Sequence, residues 1–394
     1  MTGHLRRPSR LALLALLLLA LFVPAQATAR PDGEAVLTPL AMRVLDPPVP
    51  VAGADGRRHL AYEVAIANQS GFDVTIERVQ PRAAGQPFST ALEGGAFAEQ
   101  LRVFGHDGET TIPAGGNAML FMYVRFPLGE ESPGRLKHGW RLTATDPSGQ
   151  RPDQHFGFTG VGTEVSGERP LRIEAPLRGQ GWLNANGCCL PIGGHRGGTL
   201  AVDGTLHVGE RYAIDFVGLD GENRLFDGPS RELSSYGYFG EPVHSATGGR
   251  VVEVLDDQPE QVPGILPSGL SLEQYGGNFV TVRVDRDHFA LYAHLQPGSV
   301  RVERGDRVRP GQVLGLLGNT GNTDAPHLHF QVMDGPSPLQ SNGLPFVVEQ
   351  FTGMGLATDL EGMPQGLPLP VADELTGRMR DRMPIAQQLI DFGR

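Results

Sequence analysis

The sequence predicts an all-β protein with two domains, an N-terminal immunoglobulin-like β-sandwich followed by an antiparallel β-sheet domain. The chain has 394 residues, including 54 glycines and 32 prolines. Its apolar segments are short and separated by turn residues, a pattern typical of all-β proteins. Without a predicted leader, about 365 residues remain, which is more than one hydrophobic core usually serves. We therefore expect two folded units.

Residues 1–29 have the features of a signal peptide. Arginines precede an apolar run from Leu11 to Val23, and Ala25-Gln26-Ala27 follows as a small-residue cleavage site. The run is shorter than the roughly 20 residues of a membrane-spanning helix, so a retained anchor is the weaker alternative. We expect an exported protein, periplasmic or secreted, with no stable membrane insertion once the leader is removed.

Residues 30–165 are expected to form the β-sandwich, with an accessory or targeting role. Short strands separated by turns favour an immunoglobulin-like arrangement. The clearest alternating apolar positions are Leu60, Tyr62, Val64 and Ile66. The histidines of this part are His59, His106, His138 and His155. They are scattered among polar neighbours, and we interpret them as surface residues.

Residues 171–351 are expected to form the second domain, a single antiparallel sheet with long loops. Its strand signals are Tyr212 to Phe216, Gly249 to Val254, Phe279 to Val284, Phe289 to His294, Val313 to Leu317 and Leu328 to Val332. The loops at 218–241 and 255–276 are long enough to wall a substrate groove. Residues 352–394 are interpreted as a tail, with a short amphipathic helix near 386–392.

Two histidines on one predicted strand indicate a metal site. In His327-Leu328-His329 both imidazoles project to the same face, because side chains alternate along a strand. His294 ends a neighbouring apolar strand, and Asp215 ends another. An isolated histidine usually binds nothing. Several that converge from neighbouring strands favour metal ligation.

Further motifs follow one another in order between residues 210 and 335. They include Gly248-Gly249-Arg250-Val251, Gly277-Asn278-Phe279-Val280, Tyr292-Ala293-His294-Leu295, Gly318-Asn319-Thr320-Gly321 and His327-Leu328-His329-Phe330. This series resembles the catalytic domain of lysostaphin-type zinc metallopeptidases, which are peptidoglycan-cleaving endopeptidases. The resemblance implies an antiparallel β-sheet fold and a zinc cofactor. It also implies that Asp215 and His329 bind zinc and that His294 and His327 line the reaction centre.

One position departs from this resemblance. The family supplies its first zinc ligand from a histidine four residues before the aspartate, and Arg211 stands there instead. His195 and His207 are the upstream candidates. Asp203-Gly204 is a strong signal for a two-residue hairpin turn, which would leave His207 on one arm and bring His195 near the strand of Asp215. We predict His195 as the third ligand, with His207 as the alternative.

Zinc chemistry accounts for these residue types together. A catalytic zinc site keeps three protein ligands and an open position for water. A further group must take the proton of the water, and another must stabilise the oxyanion. We expect His327 to be the general base and His294 the stabiliser, although the two roles could be exchanged.

The expected function is that of a zinc metalloendopeptidase, acting on peptidoglycan cross-links or stem peptides or on another extracytoplasmic peptide. The alternative is a catalytically silent relative that binds the cell wall or regulates another hydrolase. A biotinyl or lipoyl carrier domain would need a modifiable lysine, and the only lysine, Lys137, lies in the first domain. The net charge of −11 is spread along the chain without a basic stripe, which argues against nucleic acid as a partner.

Cys188 and Cys189 are adjacent and are the only cysteines. A vicinal disulfide, a pair of buried thiols and an intermolecular link are all compatible with an exported protein. Metal ligation is the fourth possibility, and it is the weakest because a fully occupied four-ligand zinc site would suppress catalysis.

Overall fold

The computed structural model describes residues 35–106, 108–189 and 194–393. The predicted signal peptide lies outside these residues. Within them, helices are few and short, and none has the length and apolar character required to cross a membrane. The protein is nearly all β, as predicted.

Residues 40–164 form two antiparallel sheets, here called the N-terminal sheet pair. Their elements are β1 (Leu40–Val44), β2 (Val51–Ala52), β3 (Arg57–Asn68), β4 (Asp73–Ala83), β5 (Gln86–Pro87), β6 (Leu92–Glu93), α1 (Gly94–Ala98), β7 (Leu101–Val103), β8 (Thr111–Ile112), β9 (Asn117–Pro127), β10 (Arg135–Thr145) and β11 (Gln154–Glu164). One sheet has the order β1-β3-β9-β7, with β2 paired to β3. The other has the order β11-β10-β4-β5, with β6 and β8 paired to β4.

The alternating residues of β3 lie in the core between these two sheets. Tyr62 and Val64 pack with apolar side chains of β4, β9 and β10 in one cluster. The intervening residues Ala61 and Glu63 are also buried, although alternation alone would expose them. Their face of β3 is covered by the second half of the chain, since Ala61 belongs to the core cluster of that half.

The interpretation of the four histidines as surface residues is wrong for two of them. His138 is fully buried, with its Nε2 2.7 Å from the hydroxyl of Tyr62 and its Nδ1 2.6 Å from the carbonyl oxygen of Val161. His59 is buried between Asp55 and Tyr123. Local sequence did not reveal these partners. The other two histidines are exposed, as expected.

The second half of the chain contributes the remaining strands. They are β12 (Leu171–Ile173), β13 (Trp182–Ala185), β14 (Leu200–Val202), β15 (Thr205–His207), β16 (Ile214–Gly218), β17 (Pro242–His244), β18 (Gly249–Leu255), β19 (Asn278–Arg283), β20 (Phe289–Leu295), β21 (Arg307–Val308), β22 (Val313–Leu316), β23 (Leu328–Met333), β24 (Gly343–Leu344), β25 (Phe346–Ala357), β26 (Val371–Ala372), β27 (Gly377–Arg382) and β28 (Gln388–Asp391). Every strand predicted here is present, with ends that differ by a few residues.

One 13-stranded sheet dominates this half, in the order β12-β25-β28-β13-β16-β23-β20-β19-β18-β21 with three short strands at its sides. All its pairs are antiparallel except β12 with β25. The expectation of one antiparallel sheet is therefore only partly correct. The pairs β14-β15 and β17-β22 stand apart from the large sheet.

The segment expected to be a C-terminal tail belongs to this large sheet. β25 runs through residue 352, and β26, β27 and β28 all pair within the sheet. The helix expected near residues 386–392 is wrong, because Gln388–Asp391 is a strand beside β13 and β25. Ile390 of that strand is fully buried. The short apolar segment therefore packs in the core as part of a sheet, not as the apolar face of a helix.

Candidate metal centre

Three neighbouring strands bring the predicted site residues to one face of the large sheet. β16, β23 and β20 lie side by side. Their register pairs Asp215 with His329 and Ala293 with His329. Residues directly opposite each other on paired strands share a face. His327 immediately precedes β23 and lies on the side of His329, two residues away.

His294 reaches the same place through an irregularity in β20. Next to Ala293 on a regular strand, it would point away from His329. Its φ is +64°, in the left-handed region that residues other than glycine rarely adopt, and the register with β19 shifts beside it. The ring centroid of His294 consequently lies 4.6 Å from that of His327 and 5.8 Å from that of His329. Strand irregularities of this kind recur beside active sites.

His195 comes from a separate turn. Gly194–Gly197 form a short 3₁₀ helix, which places Nε2 of His195 3.1 Å from Oδ2 of Asp215. The hairpin between β14 and β15 pairs Leu200 with His207 in the predicted register. The structure thus brings His195 to the aspartate and leaves His207 at the end of a hairpin arm.

Two overlapping groups of side chains could hold a metal ion among the described residues. One consists of His195, Asp215 and His329, and the other of His294, His327 and His329. In each group the possible ligand atoms lie within 4.8 Å of one another, and His207 belongs to neither. Only the first group contains a carboxylate, which can balance part of the charge of a divalent ion.

Asp215 is the centre of this arrangement. Its Oδ1 lies 3.2 Å from Nε2 of His327 and 3.1 Å from Nδ1 of His329. Its Oδ2 accepts a hydrogen bond from Nδ2 of Asn186 at 2.9 Å. The carboxylate is buried, and its polar side-chain partners among the described residues are these neighbours and His195.

The charges of the site are strongly coupled. Burial would raise the pKa of Asp215, but the charges of His195 and His327 outweigh burial and hold this pKa well below its ordinary value. Burial would lower the pKa of His195, but the carboxylate raises it to about 9. The carboxylate likewise raises the pKa of His327 against burial. The pKa of His294 is lowered well below its ordinary value by burial and by the charges of the two other strand histidines. A buried anion surrounded by imidazoles is suited to bind a cation in place of protons.

The residues of the first group fit a zinc ion. Tetrahedral zinc ligands at about 2.0–2.2 Å lie roughly 3–4 Å from one another. Oδ2 of Asp215 lies 3.1 Å from Nε2 of His195, and Oδ1 lies 3.1 Å from Nδ1 of His329. One ligand atom from each of the three residues lies within 4.8 Å of the other two. Nε2 of His329 lies 3.0 Å from Oε1 of Gln331, which only accepts hydrogen bonds. The proton of this ring is therefore on Nε2, and Nδ1, which faces Oδ1 of Asp215, is the nitrogen available as a metal ligand.

His294 and His327 have the same tautomer as each other. Nδ1 of His294 lies 2.7 Å from the carbonyl oxygen of Thr320, and Nδ1 of His327 lies 2.8 Å from that of Ala325. A carbonyl oxygen only accepts, so Nδ1 carries the proton in both rings. Nε2 of His294 is left to take up or release a proton, whereas Nε2 of His327 faces Oδ1 of Asp215 at 3.2 Å, and that carboxylate favours a proton on it.

Arg211 does not take part in this site. Its guanidinium contacts both carboxylate oxygens of Glu63 in β3, with the shortest distance 2.7 Å, and lies 2.8 Å from Asp46. Arg211 and Glu63 are both buried. The arginine at the departure from the family pattern thus joins the two halves of the chain.

Comparison with known proteins finds a family that matches part of the chain. Residues 235–341 match Peptidase family M23. The chain carries an M23 peptidase domain. The matched segment contains His294, His327 and His329, whereas His195 and Asp215 precede it.

Individual relatives share only this part of the chain. The peptidoglycan DD-endopeptidase ShyC of Vibrio cholerae is 30% identical over 111 residues, which are 28% of this chain and 20% of that protein. The glycyl-glycine endopeptidase ALE-1 of Staphylococcus capitis is 36% identical over 96 residues, 24% of this chain and 22% of that protein. This chain therefore spans about a fifth of the length of either relative. The solved catalytic domain of lysostaphin from Staphylococcus simulans is 28% identical, with a TM-score of 0.22 over 36% of this chain and 80% of that chain.

Sequence reasoning missed two side chains that contact the candidate metal ligands. Gln331 holds His329, and its position two residues further along the same strand was a usable signal. Asn186 donates to Asp215 from a loop 29 residues away in the chain, and no local pattern indicates it. It precedes Cys188 and Cys189, whose sulfur atoms are in contact, and neither cysteine belongs to a candidate metal group among the described residues.

Proposed function

We propose that this protein is an exported zinc metalloendopeptidase that hydrolyses peptide bonds of peptidoglycan. The observation that carries the proposal is a single cluster with two kinds of residue. His195, Asp215 and His329 form a ligand group. His294 and His327 stand beside it, each with one nitrogen fixed by a backbone carbonyl. ShyC and ALE-1 bear the names of endopeptidases, and the name of ShyC specifies peptidoglycan.

We assign the metal to His195, Asp215 and His329. When bound, zinc supplies Lewis acidity toward the scissile carbonyl and the attacking water. Asn186 and Gln331 orient Asp215 and His329 and reduce the cost of organising the ligands.

His294 and His327 handle protons in this proposal. His327 takes the proton of the attacking water at Nε2, and the protonated ring later donates it to the leaving amine. His294 stabilises the oxyanion by donating from Nε2, which requires a doubly protonated ring and is opposed by the burial and neighbouring charges that lower its pKa. Both rings have the same tautomer, and the exchanged roles, with His294 as the base and His327 as the donor, agree with the lowered pKa of His294 and the raised pKa of His327. Each ring is a catalytic residue in either assignment.

The loop at 255–276 supplies one wall of the substrate groove in this proposal. Gln261 donates to the carbonyl oxygen of Asn319, and Gly264 donates to that of Asp324. The loop therefore lies against the segment that holds His294 through Thr320. It also exposes Ile265, a large apolar side chain. A peptide in the groove would meet both apolar surface and the two proton-handling histidines.

We also propose that residues 30–165 form an immunoglobulin-like accessory domain and that residues 171–351 contain the peptidase domain. Two sheets around one core support the first proposal, and the M23 match supports the second. The silent-relative alternative rested on Arg211. That support is weaker now, because Arg211 has a structural partner in Glu63.

Digestion of purified peptidoglycan tests the proposed function. The full-length protein should release new amino ends that mass spectrometry assigns to cleaved peptide bonds. His294→Ala and His327→Ala should each abolish this release while most of the zinc remains bound. His244→Ala is a matched control, since His244 lies in β17 and contacts the carbonyl oxygen of Gly311. Zinc binding without new peptide ends in the unaltered protein would favour the silent relative.

A further inference from the structure

We propose that the N-terminal sheet pair completes the metal centre, because Arg102 and Arg196 fix the turn that presents His195. This inference rests on the proposed zinc site. It assigns the N-terminal half a part in positioning a metal ligand, beyond an accessory or targeting role. Arg102 and Arg196 are positioning residues in this account, since neither reaches the ligand atoms.

The turn of His195 needs support that the other ligands obtain from the sheet. Asp215 lies in β16 and His329 in β23, both held by neighbouring strands on each side. His195 lies in the short 3₁₀ helix Gly194–Gly197. A turn of this size has few hydrogen bonds of its own, and a ligand must be held closely to bind a metal well. Outside contacts must therefore define where the ring of His195 stands.

One outside contact comes from β7. Nη1 of Arg102 donates to the carbonyl oxygen of Gly197 at 2.5 Å. The Arg102 guanidinium also lies over the ring of Phe121 in β9, 5.9 Å from its centroid. The donor is thus held by its own sheet and fixes the end of the turn, two residues after His195.

The second contact comes from the turn itself. Nη2 of Arg196 donates to the carbonyl oxygen of Met122 in β9, and its guanidinium lies 5.7 Å from the ring centroid of Tyr123. Arg196 is only 3% exposed. Burial lowers the pKa of Arg196, and the charge of Glu63 opposes that shift. Moving the turn would remove a buried cation from these partners, which is costly.

These contacts explain how the metal centre can form although Arg211 occupies the position of the family's first zinc ligand. The N-terminal sheet pair binds Arg211 through Glu63 and holds the residue next to His195 through β9. One surface of this sheet pair therefore removes the side chain of Arg211 from the site and supports the replacement ligand.

Metal affinity of full-length variants tests the inference. Zinc affinity is measured by competition with a chelator, and cobalt(II) is bound separately to follow its ligand-field spectrum. Arg102→Ala should weaken zinc binding about tenfold or more and alter the cobalt spectrum. Arg102→Lys should recover part of the affinity, because lysine retains a donor. Arg151→Ala is the control, since Arg151 also lies over an aromatic ring of the N-terminal sheet pair, that of Phe72, at 4.2 Å.

A double-variant comparison separates positioning from general destabilisation. In a His195→Ala background, Arg102→Ala should change the remaining zinc affinity less than about twofold, because the residue through which it acts is absent. An equal loss in both backgrounds would overturn the inference. Wild-type zinc affinity in both Arg102→Ala and Arg196→Gln, with normal thermal unfolding, would also overturn it. If the unaltered protein binds no zinc, both the proposed function and this inference fail. If it binds zinc and the Arg102 variants behave as the wild type, only this inference fails.

Discussion

We expect Glu63→Gln to cause a large loss of stability, because it removes the buried ion pair between Glu63 and Arg211. Glu63 is 0% exposed and Arg211 is 6% exposed, and three distances of 2.7, 2.9 and 3.2 Å join them. Removing one partner of a buried ion pair costs about 3–5 kcal/mol, because the other charge stays buried. Arg211 keeps its 2.8 Å contact with the partly exposed Asp46. We therefore expect the lower end, about 3 kcal/mol.

Urea unfolding followed by tryptophan fluorescence measures this loss. Trp140 lies in the core of the N-terminal sheet pair, and Trp182 lies in the large sheet, so the signal reports on both halves. The double variant Glu63→Gln with Arg211→Met should recover stability relative to Glu63→Gln alone, because the guanidinium of Arg211 is then no longer buried without Glu63. A Glu63→Gln protein within about 1 kcal/mol of the wild type would refute the reasoning, since that range is typical of exposed ion pairs.

Three further predictions concern the site and its surroundings. Gln331→Leu removes the acceptor at Nε2 of His329, and zinc affinity should fall about tenfold to a hundredfold in chelator competition. Gly277→Ala would place a methyl group against the carbonyl oxygen of Thr320 at a φ of +59°. It should cost about 2–4 kcal/mol in urea unfolding and reduce peptidase activity. Burial raises the pKa of Glu260 from 4.5 to about 7, so the folded state keeps a proton that the unfolded chain releases. Stability should fall by about 1–2 kcal/mol as pH rises from about 5 to 8, and Glu260→Gln should remove this dependence in urea unfolding.

Matched variants serve as controls for these three predictions. Gln388→Leu removes a buried glutamine of the same sheet and should leave zinc affinity unchanged; an equal loss would contradict the role given to Gln331. Gly298 has a φ of +70° and open space around it, so Gly298→Ala should cost only about 1–2 kcal/mol. A similar cost for both glycines would show that the close approach is unimportant. Glu303 is exposed, and Glu303→Gln should keep the wild-type pH dependence.

Local patterns were sufficient for most strands. Alternation marks the core face of β3, and the motif residues of β20 and β23 give those strands to within a residue or so. Alternation could not show that Glu63 is buried, because its partner Arg211 is 148 residues away. The error at residues 386–392 has the same origin. A short apolar segment fits a helix or a strand, and only its neighbours β13 and β25 decide between them.

The site residues that lie on strands could be predicted from the sequence. His327 and His329 follow from a period of two, and the position of His195 follows from the hairpin at Asp203-Gly204. The position of His294 in the site could not be predicted from the sequence, because a left-handed φ in a strand depends on tertiary contacts. Support from Asn186 likewise depends on how a distant loop folds back.

Bound zinc in His195→Ala and His207→Ala, measured side by side in the full-length protein, tests the central claim most directly. The geometry around Asp215 predicts that the His195 variant loses most of its zinc and that the His207 variant keeps the one ion per chain of the wild type. Zinc retained in the first variant and lost in the second would contradict the assignment of the third ligand and, with it, the metal centre proposed for this chain.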